Sequence, residues 1–221
     1  MKNKLLKAII FDMDGVLIES EYYYRKAQEK ISALYNKKYD HSIEAQMTGR
    51  KPIEAIKIFM DRFDIVDEPE KVLALRQDIV KRGFRKSLNT MPGVFDFINN
   101  FYNDFILAIG TGSSREMVDI VMHKLELSRF MECIVCSDDV ERGKPDPDIY
   151  LEVCRRLGVL PSEAIVIEDS SNGVVAASKA GCFVIAIPNS ETRNQCFESA
   201  DVILDSLYDA RDYILSKRSS W

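Results

Sequence analysis

Histidine and tryptophan are nearly absent from this chain: two of the first and one of the second in 221 residues. His41 and His123 stand isolated from one another, so neither is given a catalytic role. Five cysteines, an odd number scattered through apolar runs, offer no disulfide framework and point to reduced thiols in the cytoplasm. Cys133 and Cys136 have a zinc-like spacing, but no second pair accompanies them. On a strand, residues three apart point to opposite faces, so the cysteines read as core residues. A basic excess is also missing. The net charge is −5, which leaves no electrostatic footprint for nucleic acid. No stretch is long and apolar enough to span a bilayer. The start of the chain is basic, but its apolar run is short and contains Lys7 and Asp12; it reads as a first strand, not a signal peptide. Repeats and low-complexity segments are lacking too.

What is present is a set of short, continuous apolar runs: Lys7–Phe11, Phe105–Ile109, Cys133–Cys136, Ala164–Ile167, Cys182–Ile187 and a fainter Asp201–Leu204. Continuous rather than alternating runs suit strands covered on both faces. Helix-like segments separate them, which predicts an α/β fold with a doubly wound parallel sheet. Ligands in such sheets bind beyond the carboxyl ends of the strands.

The residues that follow each strand are therefore the informative ones. After the first come Asp12 and Asp14, and after the second the run Gly110 to Ser114, with Thr111, Gly112 and Ser113 inside it. After the third, by a short loop, comes Arg142 to Pro147 with Lys144; after the fourth come Glu168 and Asp169, then Ser170 and Gly173. Two carboxylates about 4 Å apart repel by roughly 4 kcal/mol at an effective dielectric of about 20. A cation, a shared proton or a substrate must offset that repulsion. Acids hold Mg²⁺ through oxygen. Hydroxyls, loop amides and helix N-termini hold phosphate oxygens, and lysine supplies a point charge. The combination describes a phosphoryl-transfer site. The same residues also have a purely structural grammar. Thr111 and Ser113 could cap the helix starting near Arg115, Asp146-Pro147 looks like an N-cap with a first-turn proline, and Glu168-Asp169 could cap a helix. That grammar leaves Lys144 unexplained.

Taken in order, Asp12-Met13-Asp14-Gly15-Val16-Leu17, Thr111-Gly112-Ser113, Gly143 to Tyr150 and Glu168-Asp169-Ser170 with Gly173 resemble the four motifs of the haloacid dehalogenase-like superfamily. The resemblance is to its β-phosphoglucomutase-like branch with an α-helical cap, and it covers essentially the whole chain. It implies a core of residues 1–17 and 89–221 and a helical cap of residues 18–88. It also implies roles. Asp12 is the nucleophile that forms an aspartyl-phosphate, and Asp14 the general acid and base. Thr111 and Lys144 grip the phosphoryl oxygens with Gly112 and Ser113 nearby. Asp169 binds Mg²⁺ with the Asp12 carboxylate and the Asp14 backbone carbonyl, and Glu168 supports the metal shell or holds Lys144. Lys144 is expected to matter for turnover and little for stability.

Within the insert, Glu21–Leu34, Pro52–Phe63 and Glu70–Phe84 look helical. Tyr22, Tyr23 and Tyr24 are expected mostly to pack, with one ring facing substrate. The stretch Met47 to Pro52 carries Gly49, Arg50 and Lys51, suited to a loop lowered onto an anionic substrate. Two short tethers, Val16–Ser20 and Ser87–Gly93, suggest a hinged lid.

Asp14 argues for phosphate chemistry over dehalogenation. The mutase group, by resemblance, carries histidine where this chain has Tyr24, and lysine-glycine with a following arginine where it has Thr48-Gly49 and Pro52. The expected function is thus a phosphatase for a small phosphorylated metabolite, a sugar phosphate as the class, working as a monomer. Mutase transfer is the first alternative and a catalytically silent binding module the second.

Overall fold

The structure is a computed structural model that describes residues 6–217. The basic start of the chain, residues 1–5, and residues 218–221 of the expected core lie outside the described residues. Six strands are formed: β1 (Ala8–Phe11), β2 (Ile106–Gly110), β3 (Cys133–Val135), β4 (Ala164–Glu168), β5 (Phe183–Ala186) and β6 (Val202–Ile203). They make one sheet in the order β3-β2-β1-β4-β5-β6, and every pairing is parallel. The two edge strands are shorter than their apolar runs: β3 stops before Cys136, and β6 keeps only two residues.

Nine helices lie among the described residues: α1 (Glu21–Leu34), α2 (Glu44–Met47), α3 (Pro52–Arg62), α4 (Pro69–Lys86), α5 (Val94–Phe101), α6 (Arg115–Leu125), α7 (Asp148–Leu157), α8 (Ser171–Ala180) and α9 (Leu207–Lys217). Alternate strand residues feed different cores. Ile9, Phe11, Ile109 and Ile167 pack with Phe97 and Phe101 of α5, Val118 of α6 and Ile214 of α9. Ile10, Ala108 and Val166 pack with Ile149 and Val153 of α7 and Val174 of α8. Both faces of the sheet are therefore apolar, which is why the strands show no alternation in sequence. Each fully buried Ile or Phe contributes about 1.5–3 kcal/mol relative to exposure.

Helices α1 to α4 form an insert between β1 and α5. Ile31, Ile56, Phe59, Phe63 and Val72 give it a core of its own. Ala27, Val80 and Phe84 instead join the core beneath the sheet, so the base of the insert is apolar too. The chain enters and leaves the insert side by side. Ile18 and Thr90 form an antiparallel bridge. Glu19 N–H donates to Asn89 O at 3.1 Å, and Met91 N–H to Leu17 O at 3.0 Å. Gly93, after Pro92, turns the return path with φ +88°, a conformation that favours glycine.

Two local expectations change. Helix α7 begins at Asp148 with Pro147 at the N-cap, so Asp146 is not the cap. Cys136, Cys154 and Cys182 are buried and Cys133 is half-buried, but Cys196 is exposed, so it is not a core residue. No helix among the described residues is long and apolar enough to cross a membrane.

Candidate active site

The strand order reverses around β1, so the loops after β1, β2 and β4 open onto one crevice. Asp12 stands at the tip of β1, its N–H donated to Ile167 O at 2.9 Å. Lys144, from the loop before α7, crosses to it: Nζ donates to Asp12 Oδ1 at 2.6 Å and to Glu168 Oε1 at 2.7 Å. The lysine is fully buried. Burial alone would depress its pKa, but the Asp12 and Glu168 carboxylates outweigh burial and hold the ammonium above its ordinary range.

Glu168 is saturated. Its Oε1 also accepts from Tyr150 OH at 3.0 Å, and its Oε2 accepts from Asp169 N, Ser170 N and Ser170 Oγ at 2.8, 2.9 and 3.0 Å. Of the two expectations for Glu168, holding Lys144 is the one its contacts display. Gly173 makes room for it, since a Cβ there would stand 1.6 Å from Glu168 Oε1. Helix α8 is capped by Ser170, whose Oγ accepts from Gly173 N, so neither Glu168 nor Asp169 is the cap.

Asp14 is held from the β2 loop. Ser113 Oγ donates to Asp14 Oδ2 at 2.6 Å, and Tyr24 OH lies 3.3 Å from the same Oγ. Asp14 Oδ1 is buried without a partner. Burial raises the Asp14 pKa, with the Ser113 hydrogen bond opposing it. Thr111 is buried, and its Oγ1 accepts from Ser113 N at 3.1 Å. Neither residue caps α6: Ser114 occupies that position, and Arg115 N–H donates to Asp138 Oδ2 at 2.7 Å.

Carboxylate oxygens of Asp12, Glu168 and Asp169 lie within 4.8 Å of one another. Asp169 Oδ1 is buried with no partner, an orphaned acceptor beside Asp12. Burial pushes Asp12 up to about 7, against the pull of Lys144. Burial, reinforced by Glu168 and Asp12, raises Asp169 well above the usual carboxylate range. Crowded, desolvated carboxylates with a free oxygen fit a hard divalent cation. The other Asp169 oxygen accepts from Asn189 Nδ2 at 2.8 Å, and that amide also donates to Glu21 Oε1 at 2.6 Å.

The insert closes over this crevice. A Cβ on Gly112 would stand 2.6 Å from Gly49 O, and one on Gly49 would stand 2.9 Å from Ser170 Oγ. Thr48 O accepts from Asn172 Nδ2 at 2.8 Å. Arg50 lines the crevice, but its Nε donates to Gln46 O at 2.8 Å, within its own loop. Lys51 Nζ reaches Val140 O and Glu141 O at 2.8 and 3.1 Å, fastening the insert to the opposite loop. Among the three tyrosines, Tyr24 lines the crevice, Tyr23 packs edge-on against Phe84, and Tyr22 is exposed.

Sequence reasoning missed Glu21, Arg25, Arg76 and Glu191 in the lining, and Asn189 beside it. Arg25 pairs with Glu191 and lies 3.8 Å from Glu44. Glu21 and Arg25 had one available signal, helical spacing: with Gln28 they fall on one face of α1.

The haloacid dehalogenase-like hydrolases match this chain over residues 9–187, and the chain belongs to that family. It is 38% identical over 210 residues to an Arabidopsis thaliana protein named (DL)-glycerol-3-phosphatase 1, mitochondrial, covering 91% of this chain and 70% of the relative. A Thermotoga maritima protein named phosphorylated carbohydrates phosphatase is 34% identical, covering 80% and 82%. Among solved structures, CbbY from Rhodobacter sphaeroides in complex with phosphate superposes with a TM-score of 0.82 at 28% identity, covering 92% and 95%.

Proposed function

We propose that this chain is a Mg²⁺-dependent phosphatase that hydrolyses a small phosphorylated metabolite, a sugar phosphate as the class, through an aspartyl-phosphate on Asp12. The observation that carries the reading is the convergence of Asp12, Lys144, Asp14 and Asp169 on one crevice, with Asp14 Oδ1 and Asp169 Oδ1 both buried and unpartnered. The phosphatase names of the relatives support it.

Asp12 attacks phosphorus and the ester oxygen leaves; a covalent relay divides one hard displacement into two easier ones. Lys144 orients Asp12 and balances negative charge at the phosphoryl group. Thr111, Gly112 and Ser113 form the wall that the phosphoryl oxygens meet, with Gly49 and Arg50 above it. Asp14, whose pKa burial raises, gives a proton to the departing oxygen and then takes one from water. Asp12, Asp169 and the Asp14 backbone carbonyl would hold Mg²⁺, which supplies charge neutralisation at the transferring phosphoryl group. Glu168 holds Lys144 and belongs to the same acidic group as Asp12 and Asp169. Residues 18–88 act as a cap over a core of 1–17 and 89–221, closing to exclude water and opening for release.

The test is incubation with hexose 1- and 6-phosphates and Mg²⁺. Free phosphate, lost on chelation and in Asp12→Asn, supports the reading. Isomer without free phosphate moves the chain to mutase transfer. A folded protein with no turnover on any ester leaves a binding module.

A further inference from the structure

Asn189 lies in the loop after β5, beside the acidic group and outside the four sequence motifs. Its side chain is fixed from the backbone. Oδ1 accepts from Glu191 N at 2.9 Å and from Thr192 N at 3.2 Å, and the Asn189 backbone N–H donates to Thr192 Oγ1 at 3.0 Å. With its carbonyl end taken by two backbone amides, the side-chain nitrogen must face the other way. There it donates to Asp169 Oδ2 at 2.8 Å and to Glu21 Oε1 at 2.6 Å. Arg25, one turn along α1 from Glu21, grips the same loop through Glu191. Gly15 makes the space: a Cβ there would stand 2.3 Å from Asp169 Oδ2 and 2.9 Å from Asn189 Nδ2.

The two oxygens of Asp169 are therefore unequal. Oδ2 is occupied by a neutral amide, while Oδ1 is buried and has no partner. Asp12 also has one oxygen engaged, Oδ1 by Lys144, but the two occupants differ in charge. An ammonium partly neutralises the carboxylate it holds. An amide fixes a carboxylate and leaves its charge in place to attract a cation. A carboxylate held in this way presents one ligand atom. Mg²⁺ demands a near-ideal octahedron of oxygens at about 2.0–2.1 Å and keeps several waters. Ca²⁺ takes about six to eight oxygens at about 2.3–2.6 Å and readily gathers both oxygens of one carboxylate.

We propose that Asn189 is a positioning residue for the cation: by occupying Asp169 Oδ2 it restricts Asp169 to a single ligand oxygen and makes the site select Mg²⁺ over Ca²⁺. This rests on the Mg²⁺ reading above and deepens it. Glu21 holds the same amide from the side of α1, so the restriction is secured from the insert as well as from the core.

Calorimetric titration of the metal-free full chain with MgCl2 and with CaCl2 reads the selection without turnover. The wild type should bind Mg²⁺ more tightly than Ca²⁺, and this comparison stands where a variant fails to fold. Asn189→Ser keeps a hydroxyl able to accept from the loop amides and withdraws the side-chain nitrogen from Asp169. It should weaken Mg²⁺ binding about tenfold, the lower end for loss of a group that orients a metal ligand, and leave Ca²⁺ within about threefold. Asn189→Ala should shift the ratio of the two affinities equally, with a lower melting temperature because the loop amides lose their acceptor. A merely structural role would lower the melting temperature and leave that ratio unmoved. A wild type that binds Ca²⁺ as tightly as Mg²⁺ overturns the proposal. So does a folded Asn189→Ser that weakens both ions by the same factor or neither. Both results leave the Mg²⁺ reading standing. A wild type that takes up neither ion, and whose turnover of p-nitrophenyl phosphate survives chelation, removes the Mg²⁺ reading and this proposal with it.

Discussion

Lys144 and Glu168 form an ion pair with neither side chain exposed to solvent, Nζ to Oε1 at 2.7 Å. The lysine is thus an interior element as well as a site residue. Removing it leaves the Asp12 and Glu168 carboxylates desolvated without a cation, and breaking one side of such a buried pair costs about 3–5 kcal/mol. Lys144→Ala should therefore lose both turnover and stability, against the sequence-based expectation of a purely catalytic effect. Urea denaturation of the metal-free protein reads the stability loss; a shift below about 1 kcal/mol would contradict it.

Asp14→Asn keeps an acceptor for Ser113 and removes the transferable proton. Alkyl phosphates, whose alkoxides need protonation, should slow by roughly 10²- to 10⁴-fold. p-Nitrophenyl phosphate, with its acidic leaving group, should slow far less. Metal affinity should stay within about twofold, because the proposed ligand is a backbone carbonyl. Parallel losses on both esters would remove Asp14 from the acid role.

Glu21 connects α1 to Asp169 through Asn189, and burial raises its pKa from 4.5 to about 7. A carboxyl with a raised folded pKa adds stability that is complete below pH 4.5 and lost as pH climbs through 7. Glu21→Gln retains the acceptor and abolishes the charge. It should gain about 1–2 kcal/mol at pH 8 and nothing at pH 4 in chelated buffer, a partial share of the shift because the site is partly solvated. Denaturation midpoints at the two pH values check this, and equal shifts at both would refute it.

Gly112→Ala tests closure. The added methyl meets Gly49 O at 2.6 Å, so the insert must withdraw by several tenths of an ångström. A misplacement of that order can cost up to about 10²-fold in rate, while stability should change by less than about 1 kcal/mol. Steady-state kinetics beside thermal melts distinguish the two effects. Unchanged kcat would show that the loops are not obliged to meet.

The sheet was legible because its central strands are buried on both faces, so Ala164 to Ile167 could be read without knowing its neighbours. Asp12, Thr111, Lys144 and Asp169 were legible because loops after adjacent parallel strands share one edge. The two-residue β6 and the start of α7 were not sharply legible, since short edge strands and cap positions depend on packing. Arg76 was hidden for another reason. It sits among Lys71, Asp78 and Lys81 on a helix whose charges all read as solvated. Only the fold turns that one guanidinium inward. The loop from Met47 to Pro52 was read as substrate-facing, and Met47, Thr48, Gly49, Arg50 and Pro52 do line the crevice, whereas Lys51 fastens the insert to the opposite loop.

The Ile18–Thr90 bridge means that the two crossings move as one ribbon. A body tethered by a single ribbon can rotate about an axis through it but cannot drift sideways. With residues 18–88 opening and closing as proposed, Gly49 would return to Gly112 and Tyr24 to Ser113 in the same registration, so that alignment over the crevice is inherited from the backbone instead of being searched for at each turnover.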